Sequence, residues 1–410
     1  MFLFLYTGKR FNLKKGVSMF HRLVFYFLMY MSRYIGGPHL TKKIVLIGLK
    51  SQIFFPPKRM SPRLKTKFLG KTLKTPIGLS ADFDRRGLFF DLLAPLGVTF
   101  GELGSFTLLA ESSKERSSFL TEYKAIHVEA STTPNPGIGR ATQILAARRH
   151  LPAVIGASLI SFGSGGEEYR GSSTAIYGYG NDYHQMASRV APYVDYVLVN
   201  LSHPSMSLAQ MLSDETTLMP ILLDIKGVLY LSAPLAPPKL AIKVPYDLSD
   251  LEVKLIANTC QKAGVDAIVV AGPADASRHM RTLFGRKKRN TYLEDSFITG
   301  APLKRDVLAL VKRFYLETRG NIDIVAAGGI FTAQDAYAAI EMGASCVQLS
   351  SVLLYKGPDA ILKMVKNLSA MMEKNDQTVA SLRGSKVEMD SFIAEELKKQ
   401  QFNESDIFRD

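Results

Sequence analysis

The stretch IDIVAAGGIFTAQDAYAAIEMGASCVQLSS, from Ile322 to Ser351, decides how the whole chain is read. A short apolar run, Ile322–Ala326, leads into Gly328-Gly329. A helical pattern follows over Ala333–Met342, and a second apolar run, Val347–Leu349, leads into Ser350-Ser351. Near-continuous Val, Ile, Leu and Ala suit strands buried on both faces of a parallel sheet. Glycines at a strand end let backbone N–H groups approach a phosphate, and a helix N-terminus beyond the last strand adds a favourable dipole.

Working outward, the same texture runs back to about residue 70. Further strands are expected at Ile77–Ser80, Thr99–Leu103, Ala153–Ser158, Tyr196–Leu201, Leu240–Val244 and Ala267–Val270, with further helices at Asp250–Ala263, Leu303–Thr318 and Asp359–Met372. Strands joined by helical crossovers, eight in all, predict an α/β fold, a closed (β/α)8 TIM barrel. Three segments interrupt the alternation: 161–182, 204–239 and 274–298, the last containing GRKKR (285–289). Each follows a strand's C-terminal end, where a barrel carries its active-site loops. The basic run reads as a solvated loop, as does His127 in HVEASTTPNPG (127–137).

The two cysteines, Cys260 and Cys346, form no CxxC pattern, and the histidines show no metal-ligand spacing, so neither a disulfide framework nor a metal site is expected. Charge is distributed very unevenly. The chain carries a net +14, yet residues 1–81 contain 16 Lys and Arg and no acid before Asp82, while the remainder has 35 Lys and Arg against 37 Asp and Glu. Such an arm seeks an anionic surface. Its apolar runs, Met19–Tyr34 and Ile44–Phe55, choose lipid over nucleic acid, since a nucleic-acid arm rarely carries so much aliphatic surface. Both runs are too short to span a bilayer and suit helices in its interface, or alternatively a helical cap folded onto the core. The expected organisation is a targeting or extra segment, or an upstream start, at 1–18, amphipathic helices at 19–68, the barrel at 69–372 and a polar tail at 373–410, one loose helix outside the barrel.

From about Met19 to Ser385 the chain resembles the dihydroorotate dehydrogenase family, specifically its membrane-associated, quinone-dependent class 2. The resemblance is carried by LGKTLKTPIGLSADFDRRG (69–87), GELGSFT (101–107), VLVNLSHP (197–204), AIKVPYDLS (241–249), TGAPL (299–303), AAGGIFTAQDA (326–336) and GASCVQLSSVLLYKGP (343–358). It implies an FMN barrel that oxidises dihydroorotate and passes electrons to quinone, which enters between N-terminal helices lying on a membrane. That membrane would be the bacterial inner membrane, on its cytoplasmic side, or the mitochondrial inner membrane. By this resemblance the FMN phosphate sits on Gly300, Gly328, Gly329, Ser350 and Ser351. Ser80, Ala81, Gly104 and Ser105 line the isoalloxazine, and Ser158 replaces an FMN-contacting asparagine. Lys243 matches the lysine that stabilises negative charge on the reduced ring, and Asn200 touches flavin and substrate.

The substrate half departs from the family pattern. His203 stands where class 2 members carry their serine base, and Ser205 replaces an orotate-binding asparagine. Arg85 replaces the substrate lysine, Ala271-Gly272-Pro273 replaces Thr-Asn-Thr, and the asparagine-rich loop after the second strand has no counterpart in 127–137. An imidazole has a near-neutral pKa and serves well as a general base. Each lost amide removes about 1 kcal/mol of net hydrogen bonding. Two readings follow: an oxidoreductase with His203 as base and an altered substrate pocket, or a catalytically silent FMN-binding paralogue acting as a membrane-associated binding protein.

Overall fold

Eight parallel strands close into a barrel in the computed structural model, which describes residues 15–57, 59–112, 116–129, 134–148, 153–161, 173–202, 215–276 and 296–388. The strands are β1 (Ile77–Leu79), β2 (Phe100–Phe106), β3 (Val154–Leu159), β4 (Tyr196–Asn200), β5 (Lys239–Val244), β6 (Ala267–Val270), β7 (Asp323–Ala327) and β8 (Cys346–Leu349). Each pairs with its neighbour in sequence, and β8 returns to β1. The apolar runs all became strands because both faces are covered: side chains fill the lumen inside, and helices lie outside. Strand β2 runs three residues beyond the expected Leu103, its pairing with β3 continuing through an irregularity between Gly104 and Phe106.

The barrel's N-terminal end is plugged by a hairpin, Thr66–Phe68 with Lys71–Leu73. Its Phe68 ring lies 4.7 Å from Phe100 and 5.8 Å, edge-on, from Tyr196. Gly156 is what admits Tyr196, since a Cβ there would lie 2.3 Å from the ring. At the opposite end an antiparallel sheet of Arg116–Leu120, Ala125–Glu129, Ser296–Gly300 and Ala274–Asp275 covers part of the mouth. His127 therefore lies in a strand, opposite Ser118 and Ile298, and not in the expected loop. The alternation of AIHVE is that of a strand with one face on the protein.

Outer helices begin and end where their sequence says they should. Helices α1 (Lys15–Ile35) and α2 (Gly37–Lys50) form the arm. The others of six or more residues among the described residues are α3 (Gly137–Ala146), α4 (Ser173–Val190), α5 (Glu215–Ser232), α6 (Asp250–Ala263), α7 (Lys304–Glu317), α8 (Ala333–Glu341), α9 (Ser351–Lys356) and α10 (Asp359–Lys374). Ser249 and Glu252 form a capping box at the start of α6, and Gly264 ends it in the left-handed conformation. After α10 the chain stays on the barrel. Val379 and Leu382 are buried, and the Arg383 guanidinium donates to the carbonyls of Ile322 and Gly343 at 3.1 Å.

Helix α1 has two working faces. Its inner stripe, Phe25 and Met29, is buried, Phe25 against Gly48 of α2 and the Phe54 ring, and both residues over Gly357 just before α10. Arg22 and Tyr26 both reach Asp359 at the start of α10, at 2.5 and 2.7 Å. Its outer stripe, Phe20, Leu23, Phe27, Tyr30 and Tyr34, stays more than half exposed. The inner face is thus folded onto the core, and the outer face is an exposed apolar surface. No described helix is long and apolar enough to cross a membrane. Charged hydrogen bonds contribute roughly 1.5–3 kcal/mol each. Asp359→Ala is therefore expected to raise amide hydrogen exchange in α1 at least tenfold while leaving the barrel strands unchanged. Equal exchange in variant and wild type would show that the Arg22 and Tyr26 contacts to Asp359 do not hold the arm.

Candidate functional site

A cavity of about 1,100 Å³ opens at the C-terminal mouth, bounded by the loops after β1, β2, β4, β6, β7 and β8, by the mouth sheet and by α2. Such a volume accommodates a drug-sized or cofactor-sized ligand. Each wall is locally determined. After β1 the buried carboxylate of Asp84 accepts from the backbone N–H groups of Leu88, Phe89 and Phe90 at 2.7–2.9 Å, and the turn carries Arg85 to the cavity. After β7, Asp335 accepts from the N–H groups of Phe331 and Thr332 while Thr332 caps α8, so the Gly328-Gly329 loop is held from beyond. Lys304 adds a salt bridge to Asp335 at 3.0 Å. Thr299 and Ser351, 3.0 Å apart through their hydroxyls, join the mouth sheet to the loop after β8.

The floor is polar. Lys243 of β5 has a side chain only 3% exposed, with Nζ 3.6 Å from Asp82 Oδ2. Beside it on β4, Asn200 is committed at both ends of its amide. Nδ2 donates to Ser105 Oγ at 2.9 Å, and Oδ1 accepts from Ser202 N and Oγ at 3.0 and 2.6 Å. Ser105 in turn lies 2.8 Å from Ser158 Oγ. The Asn200 amide therefore has one orientation. Below Lys243, Glu102 of β2 is fully buried; its Oε1 accepts from Gln348 Nε2 at 2.5 Å and from Tyr196 OH at 3.2 Å. Burial pushes its carboxyl up to about 7, against the attraction of Lys243 and these two hydrogen bonds. Tyr196 is itself pushed well above its ordinary value by burial.

Of the residues expected at the site, Ser80, Arg85, Asn200, Lys243, Gly300, Gly328, Gly329, Ser350 and Ser351 all line this one cavity. Ala81, Gly104, Ser105 and Ser158 are not on its wall; Ser105 and Ser158 stand behind Asn200 and hold it. His203 and Ser205 lie outside the described residues. The segment 127–137, read as having no counterpart of the asparagine-rich loop, places one amide at the cavity. Asn135 lines the cavity, its Oδ1 accepting from the N–H groups of Thr107 and Gly137 at 3.1 and 2.9 Å. It was concealed because the surrounding TTPNPG shares no spacing with an asparagine-rich loop. Asp82 and Glu102 were also missed. Both had a signal, one as the first acid after 81 residues without any, the other as an acid inside an apolar strand.

Comparison with known proteins adds an independent finding. A sequence model of the family described as dihydroorotate dehydrogenase matches residues 63–372. A Kineococcus radiotolerans protein named dihydroorotate dehydrogenase (quinone) is 28% identical over 362 residues, covering 87% of this chain and 92% of its own. The mouse mitochondrial protein of the same name is 26% identical over 348 residues, covering 84% and 85%. The crystal structure of DHODH from Eimeria tenella in complex with ferulenol superposes with a TM-score of 0.73 at 23% identity, covering 85% of this chain and 95% of that one.

Proposed function

Since the chain belongs to the dihydroorotate dehydrogenase family, we propose that it is an FMN-dependent oxidoreductase acting on a CH–CH bond of a small anionic substrate, dihydroorotate or a relative, and delivering the electrons to quinone at a membrane surface. The observation that carries this reading is a nearly fully buried lysine in a cavity whose opposite wall is glycine and serine backbone. The donor set fits FMN. Gly329 has φ +75°, and a Cβ there would lie 2.5 Å from Lys304 Cα, so the position admits only bare backbone, as a phosphate cradle requires. The hydroxyls of Ser350 and Ser351 and the backbone of Gly300 and Gly328 complete that wall.

Bound there, FMN supplies the two-electron acceptor. The chain supplies the rest. Lys243 presents a fixed positive charge in a dry site, where it favours charge accumulating beside it. Asn200, held by Ser105 and Ser202, presents a pre-set amide edge. Arg85 at the rim provides the countercharge for a carboxylate. His203, next in the chain after Ser202, takes the substrate's proton, and Ser205 contributes a substrate contact. Asn135 supplies one amide on the far wall, which partly offsets those missing from Ala271-Gly272-Pro273. The cavity also reaches Pro38, His39, Lys42 and Leu46 of α2, the route assigned to quinone, beneath the arm whose outer apolar stripe rests on lipid.

Anaerobic addition of dihydroorotate to the purified flavoprotein is expected to bleach its visible absorption, and quinone delivered in lipid vesicles is expected to restore it. A band that stays oxidised would remove dihydroorotate as donor and favour a silent flavin-binding protein.

A further inference from the structure

Two acids stand beside Lys243 without a task in this chemistry. Asp82, in the turn after β1, reaches Nζ from the cavity side at 3.6 Å. Glu102 approaches from the barrel interior. Its Oε1 is doubly hydrogen-bonded, but its Oε2 and the Oε1 of its partner Gln348 are buried with no hydrogen-bond partner among the described residues. A fully buried carboxylate with one oxygen unsatisfied is costly, and the nearby ammonium is its main electrostatic support. Asp82 acts on Glu102 in the opposite sense, raising it. The arrangement is one cation between two carboxylates, one rigid and buried, the other 38% exposed in its side chain.

We infer that Asp82 and Glu102 are positioning residues that set the reduction potential of the flavin beside Lys243, drawing the ammonium's charge back from the cofactor, with Glu102 taking up a proton as the flavin gains charge. The inference rests on the reading that FMN occupies this cavity. Its sign follows from Coulomb's law in a poorly screened site. Lys243 alone favours the reduced, more negative flavin. Each carboxylate opposes that effect and holds the potential lower.

Added negative charge beside Glu102 raises its proton affinity, because like charges disfavour the ionised form. Without added charge beside it, burial holds this group up at about 7. Reduction therefore draws a proton to it in the window that opens at about pH 7 and extends upward to the reduced-state value. Over that window the potential falls more steeply with pH than the flavin's own protons require. The other groups facing Glu102 stay out of the titration: Tyr196 of β4 and Cys346 of β8 are pushed well above their ordinary values by burial and remain neutral, and Gln348 carries no charge.

The test is a potentiometric titration of the FMN band of the holoprotein between pH 5.5 and 8.5, after flavin content has been measured. It compares wild type with Glu102→Gln and Asp82→Asn. At pH 8 both variants should shift the oxidised–reduced equilibrium at least tenfold toward reduced, about 30 mV for a two-electron couple. Glu102→Gln alone should also lose the steep segment above pH 7. Wild-type potentials and slopes in both variants overturn the inference. So does a wild-type curve without the steep segment, which decides the matter for Glu102 even if that variant does not fold. A wild-type chain that retains no FMN instead overturns the reading beneath it, and flavin content tells these failures apart.

Discussion

Lys243→Ala is expected to slow reduction of the bound flavin by its donor by a factor of about 10²–10³, the usual effect of removing one pre-aligned electrostatic group from a dry site. Fold and flavin content should persist. Lys243 lies at the end of a strand whose backbone pairing with β4 and β6 does not depend on its side chain. The substitution also strips Glu102 of the charge that holds its carboxyl down. Glu102 should then carry a proton throughout neutral pH, so any residual rate loses its dependence on this group. Rapid-mixing absorbance under anaerobic conditions measures the effect. A rate within threefold of wild type would mean that Lys243 does no more than balance Asp82 and Glu102.

Gly329→Ala is expected to abolish flavin retention. The position has φ +75°, which L side chains seldom adopt, and the added methyl would meet Lys304 backbone N at 2.6 Å as well as its Cα. Strain of this kind costs about 1–3 kcal/mol at the residue itself, before the loop moves to relieve the clash. That loop is fixed from beyond by Asp335, so it cannot yield without giving up those two N–H contacts. Protein purified with less than a tenth of the wild-type flavin, and a melting temperature several degrees lower, is the expected result. Full flavin content would place the phosphate elsewhere in the cavity.

The barrel was legible because its strands are buried on both faces, which leaves continuous apolar runs that survive in any single sequence. Gly328 and Gly329 were legible for the opposite reason, as residue types out of keeping with their apolar neighbours, whereas Lys243 was singled out only through the family resemblance. The mouth sheet was not. AIHVE and SFITG are short, and they pair with each other from segments far apart in the chain, so no local pattern shows that they form one sheet. Asn135 was hidden in the same way, since its role depends on hydrogen bonds to Thr107 on the other side of a long connection. Glu102 lay in full view inside a quoted motif. Only its position between Lys243, Tyr196 and Gln348 gives it meaning, and that position is a property of the closed barrel.

Helix α1 carries two independent messages at one helical period, and its tolerance to mutation should follow angle, not sequence order. Phe25 and Met29 touch side chains of fixed shape, so a change there alters packing that cannot rearrange freely. Phe20, Leu23, Phe27 and Tyr34 face outward, where any large apolar residue serves as well as another. Along the same turn of helix, the chain can drift on one side while staying unchanged on the other. Over evolutionary time the outer stripe can thus be refitted to a different surface without disturbing the barrel the arm is fastened to.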